Sequence, residues 1–413
     1  MHSKLKSPIF ILFITIFFDL LGFGILIPVI PSLFANPNSP SYLLPVGTST
    51  ETGYILMGLI LALYFVGQFF MSPILGELSD RFGRKKIILA SIAGSAVSYL
   101  LFGFGIFTKS ILLIFIARAV NAVTSSIISV SQATIADISH ESDHTKNFGV
   151  IGAAFGMGFV VGPFLGGTLS NPAIVSWFGP TTPFWFASAL ACINAVSVIL
   201  FLPETNHHLV HRPITATRSL RNILRAFHMR ELRALFTTNF FFQAGFTFFT
   251  TFFSVFLIAR YNFSQQAIGN YFAFVGIWIA ISQGFLLRLV PPSVNSTYIL
   301  RISLLATSIF ILLQFFTGVW WELLFIAPFL SIANGFSMAN IQSTISKSAS
   351  RSEQGEIMGL NTSIESLARA IPPLISGFIA AVLSPSSPLL ISALLIFIAW
   401  AIFILTHTTK QSA

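Results

Sequence analysis

Gly76-Glu77-Leu78-Ser79-Asp80-Arg81-Phe82-Gly83-Arg84-Lys85-Lys86 sets two acids and four bases where one apolar run, 53–75, gives way to the next, 85–107. A helix needs about 20 mostly apolar residues to cross the hydrocarbon core of a bilayer. Working outward from this charged island, runs of that length fall at 8–34, 53–75, 85–107, 110–137, 147–170, 181–202, 233–259, 265–288, 298–318, 321–346, 356–383 and 386–407. Only 8% of the chain is charged and 54% is hydrophobic, with a mean hydropathy of +0.84. A soluble domain would carry about a quarter charged residues, so the bilayer must serve as solvent for most of this chain. The expected fold is an all-α polytopic membrane protein of twelve transmembrane helices.

The first run follows Lys4 and Lys6 as a signal peptide would. It is longer than such a segment, contains Asp19 and precedes eleven similar runs, so a retained helix is expected. The formal charge of +9 does not point to nucleic acid, because the cations sit in short loops. With the N-terminus inside, Lys109 and Arg260 are the only cations outside, while Arg81, Arg84, Lys85, Lys86, Lys146 and a group of arginines after span 6 lie inside. That asymmetry places both termini in the cytoplasm. Cys192 is the single cysteine, which excludes a disulfide framework and a cysteine metal cluster.

The domains expected are a six-helix half over 1–202, a cytoplasmic linker over 203–232 and a second six-helix half over 233–413. In the linker, Leu220, Ile223, Leu224 and Phe227 recur at helical spacing beside Arg218, Arg221 and Arg225, the pattern of a helix on the inner membrane surface. His207, His208 and His211 also lie there. Three histidines without a fourth ligand read as solvated side chains, and no metal site is expected. The halves repeat at an offset of 210 residues: Gln132 with Gln342, Thr134 with Thr344, Gly149 with Gly359, Pro163 with Pro373 and Gly167 with Gly377. Parallel repeats of this kind place a substrate site between the halves near the midplane.

The loop from Gly76 to Lys86 resembles the signature of the major facilitator superfamily: Gly, three residues, Asp-Arg, one residue, then Gly-Arg and a base. A basic loop would satisfy the positive-inside rule in any family, but that does not explain Asp80 or the spacing of Gly76 and Gly83. The two glycines are expected to permit a tight turn, and Asp80 suits a helix N-terminus in the other half. The resemblance implies that Arg84 pairs with an acid at the end of span 4, here Asp137. It also implies that Gly76, Asp80, Arg81, Gly83, Arg84 and Asp137 together latch the halves. Span 5 carries Gly158-x-x-x-Gly162-Pro163-x-x-Gly166-Gly167, which resembles the exporter pattern of the superfamily. The same glycines also serve as a close-packing face in lipid. In span 1, Asp19, Gly22-x-Gly24, Pro28 and Pro31 resemble the tetracycline–proton antiporters and their multidrug relatives, and Pro203-Glu204-Thr205 is similar to a segment ending span 6 in the superfamily.

An ionisable residue at the bilayer centre costs about 2.5–3.5 kcal/mol on insertion scales, so those that remain face a cavity or a partner. Asp19, Arg118, Glu365 and Arg369 are the proton-coupling candidates. Asp19, near mid-depth, can take up a proton and shed its charge. Arg118 stands where the family has an intramembrane arginine, but Asn121 and Ala122 replace the glutamine and glycine the family usually has after it. Glu365 and Arg369, four apart, share a helix face and can pair within it. Gln68, Gln243, Gln283, Asn334, Asn340 and Gln342 are candidate cavity residues, with interhelical hydrogen bonding as the plainer role. The aromatic run Phe240–Phe256 is expected mostly in core or against lipid. Span 9 lacks the acid of the tetracycline antiporters, so tetracycline held through a metal is not the expected cargo.

Together these residues imply a proton-coupled exporter of small lipophilic or amphiphilic molecules, working as a monomer in a bacterial inner membrane without a cofactor. Uptake of a nutrient or metal-chelating metabolite on the same fold is the alternative. An intramembrane enzyme would need a catalytic constellation at depth; the chain has no Gly-x-Ser-x-Gly, and its His-Glu-x-x-His, His140 to His144, falls between apolar runs rather than within one.

Overall fold

The computed structural model of the chain describes residues 8–124, 127–139, 144–206, 218–229, 232–291, 294–348 and 354–408. Their regular structure is helical, joined by turns and loops such as 35–49 and 169–181, with no β-strand among them. Twelve helices are long and apolar enough to cross a membrane: Pro8–Phe34, Thr50–Phe82, Arg84–Phe107, Ile111–Ile138, Ile151–Thr168, Thr182–Phe201, Arg233–Tyr261, Gln265–Leu289, Ser296–Phe316, Trp320–Lys347, Ile357–Val382 and Ser387–Thr406, here spans 1 to 12. Helices are what hydrocarbon requires, because each satisfies its backbone hydrogen bonds internally.

Span 2 differs most from expectation. It runs on to Phe82, carrying Gly76, Glu77 and Asp80 inside the helix rather than in a loop. Helix geometry needs no apolar side chains once the segment has left hydrocarbon, so hydropathy under-reads its end. The turn falls at Gly83 alone, whose φ of 101° few side chains tolerate. Gly76, expected to share in that turn, has nothing within 4 Å of where a Cβ would stand. Span 8 contains a π-helical segment, Ser282–Leu286, a form that inserts one residue into the helix and is frequent at functional positions.

The helices form two compact units. One comprises Met1–Val46, Val66–Thr217 and Ser264–Ala273; the other comprises Gly47–Phe65, Arg218–Phe263 and Phe274–Ala413. In the first, span 1 packs on spans 5 and 6, and span 3 on spans 4 and 6. In the second, span 7 packs on spans 11 and 12, and span 9 on spans 10 and 12. Every pairing recurs six spans later.

Each unit also holds a short piece of a neighbouring helix through the same joint. In the second unit, a Cβ on Gly58 would lie 2.6 Å from the Pro373 carbonyl oxygen and 3.2 Å from Gly377 Cα. In the first, a Cβ on Gly269 would lie 2.5 Å from the Pro163 carbonyl oxygen and 3.2 Å from Gly167 Cα. Pro163 and Pro373, like Gly167 and Gly377, are the pairs that the 210-residue offset aligns. The repeat therefore reaches to the level of individual backbone atoms.

The linker helix, Arg218–His228, belongs to the second unit and packs on spans 11 and 7. His207, His208 and His211 lie outside the described residues. The phenylalanines of span 7 go to core: Phe242, Phe248, Phe249, Phe252, Phe253 and Phe256 are all buried.

The glycine joints yield a first prediction. Gly58→Leu or Gly269→Leu would overpack a backbone contact, at a cost of about 1–3 kcal/mol. The thermal midpoint of the detergent-solubilised protein, followed by tryptophan fluorescence, should fall for each. A surface control such as Gly179→Ala, with open space at its Cβ position, should leave it unchanged.

Candidate functional site

Three polar constellations stand out against the apolar background. The first closes the turn between spans 2 and 3. Arg84 Nη1 lies 2.7 Å from Asp80 Oδ1 and donates to Ser79 Oγ at 2.6 Å, while Arg84 Nε donates to Asp137 Oδ2 at 3.0 Å. Arg84, Asp80 and Asp137 are thus brought into one network, with Arg84 its least exposed charge. Arg81 stacks its guanidinium over the Phe82 ring at 5.3 Å.

Sequence reasoning missed the centre of this network. Glu204 accepts from the backbone N–H of Arg84 at 2.8 Å and of Lys85 at 3.2 Å, the first N–H groups of span 3. A carboxylate there satisfies two donors that lack a partner within the helix and meets the positive end of the helix dipole. The carboxylate lies where a side chain on residue 83 would stand. Gly83 is therefore required twice, by its φ and by its neighbour. Thr205 Oγ1 donates to Asp137 Oδ2 at 3.3 Å and Asn206 Nδ2 to the Asp80 carbonyl at 3.1 Å. The Pro203-Glu204-Thr205 segment thereby ties the end of span 6 to spans 2, 3 and 4.

The second constellation lies part-buried in the second unit, around Glu365 of span 11. Glu365 Oε1 accepts from Gln342 Nε2 of span 10 at 2.6 Å, Asn361 Nδ2 of span 11 at 2.9 Å and Asn239 Nδ2 of span 7 at 3.1 Å. Asn239 also donates to Asn361 Oδ1 at 2.7 Å. Arg369 Nη2 stands 3.8 Å from Glu365 Oε2, an ion pair looser than these hydrogen bonds. Glu365 is therefore held by amides from three helices, with its helix-mate Arg369 on the other oxygen. Asn239 and Asn361 were absent from the candidates. Asn361 was legible as the residue one turn before Glu365 on the same face; Asn239 sits in a phenylalanine-rich stretch that masks it.

The third constellation is dispersed through the first unit. Asp19 is 9% exposed and takes no hydrogen bond or ion pair among the described residues. One turn earlier on its face, Thr15 Oγ1 donates to Asn194 Oδ1 of span 6 at 3.1 Å. Arg118, 2% exposed, donates from Nη1 to Asn121 Oδ1 at 3.1 Å. Asn121 stands where the family usually has glutamine, and here it supplies the amide that holds the arginine. The glycine stripe of span 5 faces span 1: a Cβ on Gly158 would meet Leu20 Cβ at 2.6 Å, on Gly162 the Leu21 carbonyl at 2.8 Å and on Gly166 the Ile25 carbonyl at 2.6 Å. Gly167 turns instead to Gln265.

The remaining cavity candidates divide. Gln342 joins Glu365, and Asn340 donates back to the Phe336 carbonyl of its own helix at 2.8 Å. Asn334 and Gln243 are buried, and among the described residues the Asn334 Oδ1 has no hydrogen-bond partner. Gln68 is half-buried in span 2, and Gln283 lies in the π-helical segment. Among the described residues no group of three His, Cys, Asp or Glu side chains could hold a metal ion.

The Major Facilitator Superfamily pattern matches residues 12–299 and 294–413. Tetracycline resistance protein, class H, of Pasteurella multocida is 29% identical over 379 residues, spanning 91% of this chain and 89% of its own length. Multidrug resistance protein 2 of Bacillus subtilis is 25% identical over 382 residues, spanning 91% of this chain and 90% of its own. The crystal structure of the human organic anion transporter MFSD10 superposes with a TM-score of 0.73 at 22% identity, covering 97% of this chain and 99% of that one.

Removing the carboxylate cap gives a second prediction. Glu204→Ala leaves two helix N–H groups unmet and should cost about 0.5–2 kcal/mol, the usual loss for a helix cap. Gly83→Ala forces both the backbone and Glu204 to move and should cost about 1–3 kcal/mol. In urea or thermal unfolding the double variant should lose less than the sum of the two, because both changes displace the same carboxylate.

Proposed function

The chain belongs to the major facilitator superfamily, and from that premise we propose that it is a proton-coupled exporter of small lipophilic or amphiphilic molecules. Membership makes it an integral multi-pass membrane transporter of small molecules. Export is supported by the relatives, tetracycline and multidrug resistance proteins matched over nine-tenths of the chain. It is supported also by the exporter-like stripe from Gly158 to Gly167 in span 5. The basic loops favour a cytoplasmic N-terminus in a bacterial inner membrane.

The observation that carries proton coupling is a pair of intramembrane carboxylates with opposite surroundings. Among the described residues Asp19 of span 1 takes no hydrogen bond, and it stands beside the closely packed Gly22-x-Gly24 segment. Glu365 is held by three amides, so anything that neutralises it weakens the tie between spans 7, 10 and 11. In the proposed cycle a proton taken up at Asp19 removes a charge from the membrane interior and favours the return step. Glu365 exchanges its amide partners for cargo or for a proton. The Arg84–Asp137 and Asp80–Arg84 contacts serve as a conformational latch rather than as a binding site. Span 9 has no acid to help hold a metal–tetracycline complex, so a metal-free amphiphile is the favoured cargo.

Transport into inverted membrane vesicles under an imposed pH gradient tests the reading. A lipophilic dye such as ethidium should accumulate in vesicles bearing the wild-type chain. Asp19→Asn should reduce gradient-driven uptake to the level of empty vesicles, and Glu365→Gln should lower it at least about tenfold, with normal membrane levels of both proteins. Undiminished uptake by Asp19→Asn would remove that residue from coupling. Accumulation confined to right-side-out vesicles would reverse the direction.

A further inference from the structure

The linker helix presents three faces, and each meets a different environment. At 100° per residue, Ser219, Ile223 and Ala226 share one face, and all three are buried against spans 11 and 7. Asn222 fastens that face by donating to Ser363 Oγ at 3.2 Å. Turning about a quarter of the way round, Leu220 and Leu224 stand 46% and 63% exposed, with Phe227 beside them. Turning further, Arg221 and Arg225 form an exposed basic stripe. Packing on the protein buries the first face and leaves the Leu220–Leu224 stripe exposed. A helix lying wholly in water would gain nothing from a second apolar stripe, and a helix lying on lipid by its whole apolar side would not bury Ile223 and Ala226 in protein.

We propose that the Leu220–Leu224 stripe of this helix enters the acyl-chain boundary of the membrane while Arg221 and Arg225 bind the phosphates of anionic phospholipids. An apolar stripe flanked by arginines is the composition that seats a helix at a lipid interface. Juxtamembrane cations are drawn to an anionic leaflet and lose that attraction as salt rises. The helix is already held beside two membrane spans, so the interface is within reach without any rearrangement. The proposal depends on neither the cargo nor the direction of transport.

The test uses the full-length protein in proteoliposomes, with Cys192→Ser as background and a single nitrobenzoxadiazole-labelled cysteine introduced by Leu224→Cys or by Arg221→Cys. In vesicles of phosphatidylcholine with about one third phosphatidylglycerol, the label at position 224 should emit as in an apolar medium. Lipids carrying a shallow nitroxide should quench it, while the label at 221 should stay water-like. Arg225→Gln should shift the equilibrium away from the quenched state about fivefold; the absence of phosphatidylglycerol, which removes the attraction of both arginines, should shift it further, and high salt should act in the same sense. Water-like, unquenched emission at 224 in both lipid compositions would overturn the proposal. Quenching indifferent to phosphatidylglycerol, to salt and to Arg225→Gln would overturn the anionic-lipid recognition.

Discussion

In hydrocarbon an apolar side chain gains little by leaving lipid for protein, so transmembrane helices are held by how closely their backbones approach and by the polar groups they share. In this chain close approach is concentrated at glycine. Gly158, Gly162 and Gly166 bring span 5 against the backbone of span 1 at Leu20 to Ile25. Gly58 and Gly269 rest on the carbonyls that Pro373 and Pro163 present. A proline in mid-helix displaces the hydrogen-bonding ladder around it, and a glycine opposite is what lets a second helix come near. The two joints are copies of one design in two units. Glycine and proline, which weaken an isolated helix in water, are here the means by which helices without a hydrophobic driving force adhere.

The units are alike in packing and unlike in charge. The echo of span 1 in span 7 sets Asp19 against Gln243, and the 210-residue offset sets Glu365 of span 11 against position 155 of span 5, a phenylalanine. Of the two acids expected at depth, one therefore stands in each unit, at positions the repeat does not relate. Their surroundings diverge in the same way: among the described residues Asp19 takes no hydrogen bond, and Glu365 has Asn239, Gln342 and Asn361. The scaffold is thus repeated between the units while the polar chemistry set into it is not.

The twelve spans were legible because hydrocarbon imposes a length and a composition, and most boundaries fall within three residues of those read from hydropathy. Span 2 was the exception, since its last turns have left the apolar layer and hydropathy no longer reports them. The pairing of Arg84 with Asp137 was legible only by resemblance: nothing in the spacing alone brings positions 84 and 137 together. Glu204 was out of reach for a different reason. It caps a helix that begins 120 residues earlier in the chain, and no local pattern joins a carboxylate to N–H groups so distant in sequence. Asn121 shows the converse, a departure from the family pattern that the geometry explains, since an amide at that position still reaches Arg118.

Span 11 gathers these effects on one helix. Ser363 takes the hydrogen bond from the linker, Asn361 and Glu365 bind spans 7 and 10, and Pro373 with Gly377 receives the outlying piece of span 2. From Ser363 to Gly377 is about 21 Å along a helix at 1.5 Å per residue. The helix carries prolines at 372 and 373 between its polar cluster and its glycine joint. A rigid rod would transmit any change at Glu365 to both ends alike. Paired prolines remove two ladder hydrogen bonds and so soften the rod between Glu365 and Gly377. A change in the partners of Glu365 would then be felt chiefly toward the linker, where Asn222 and Ser363 meet, and least at the glycine joint.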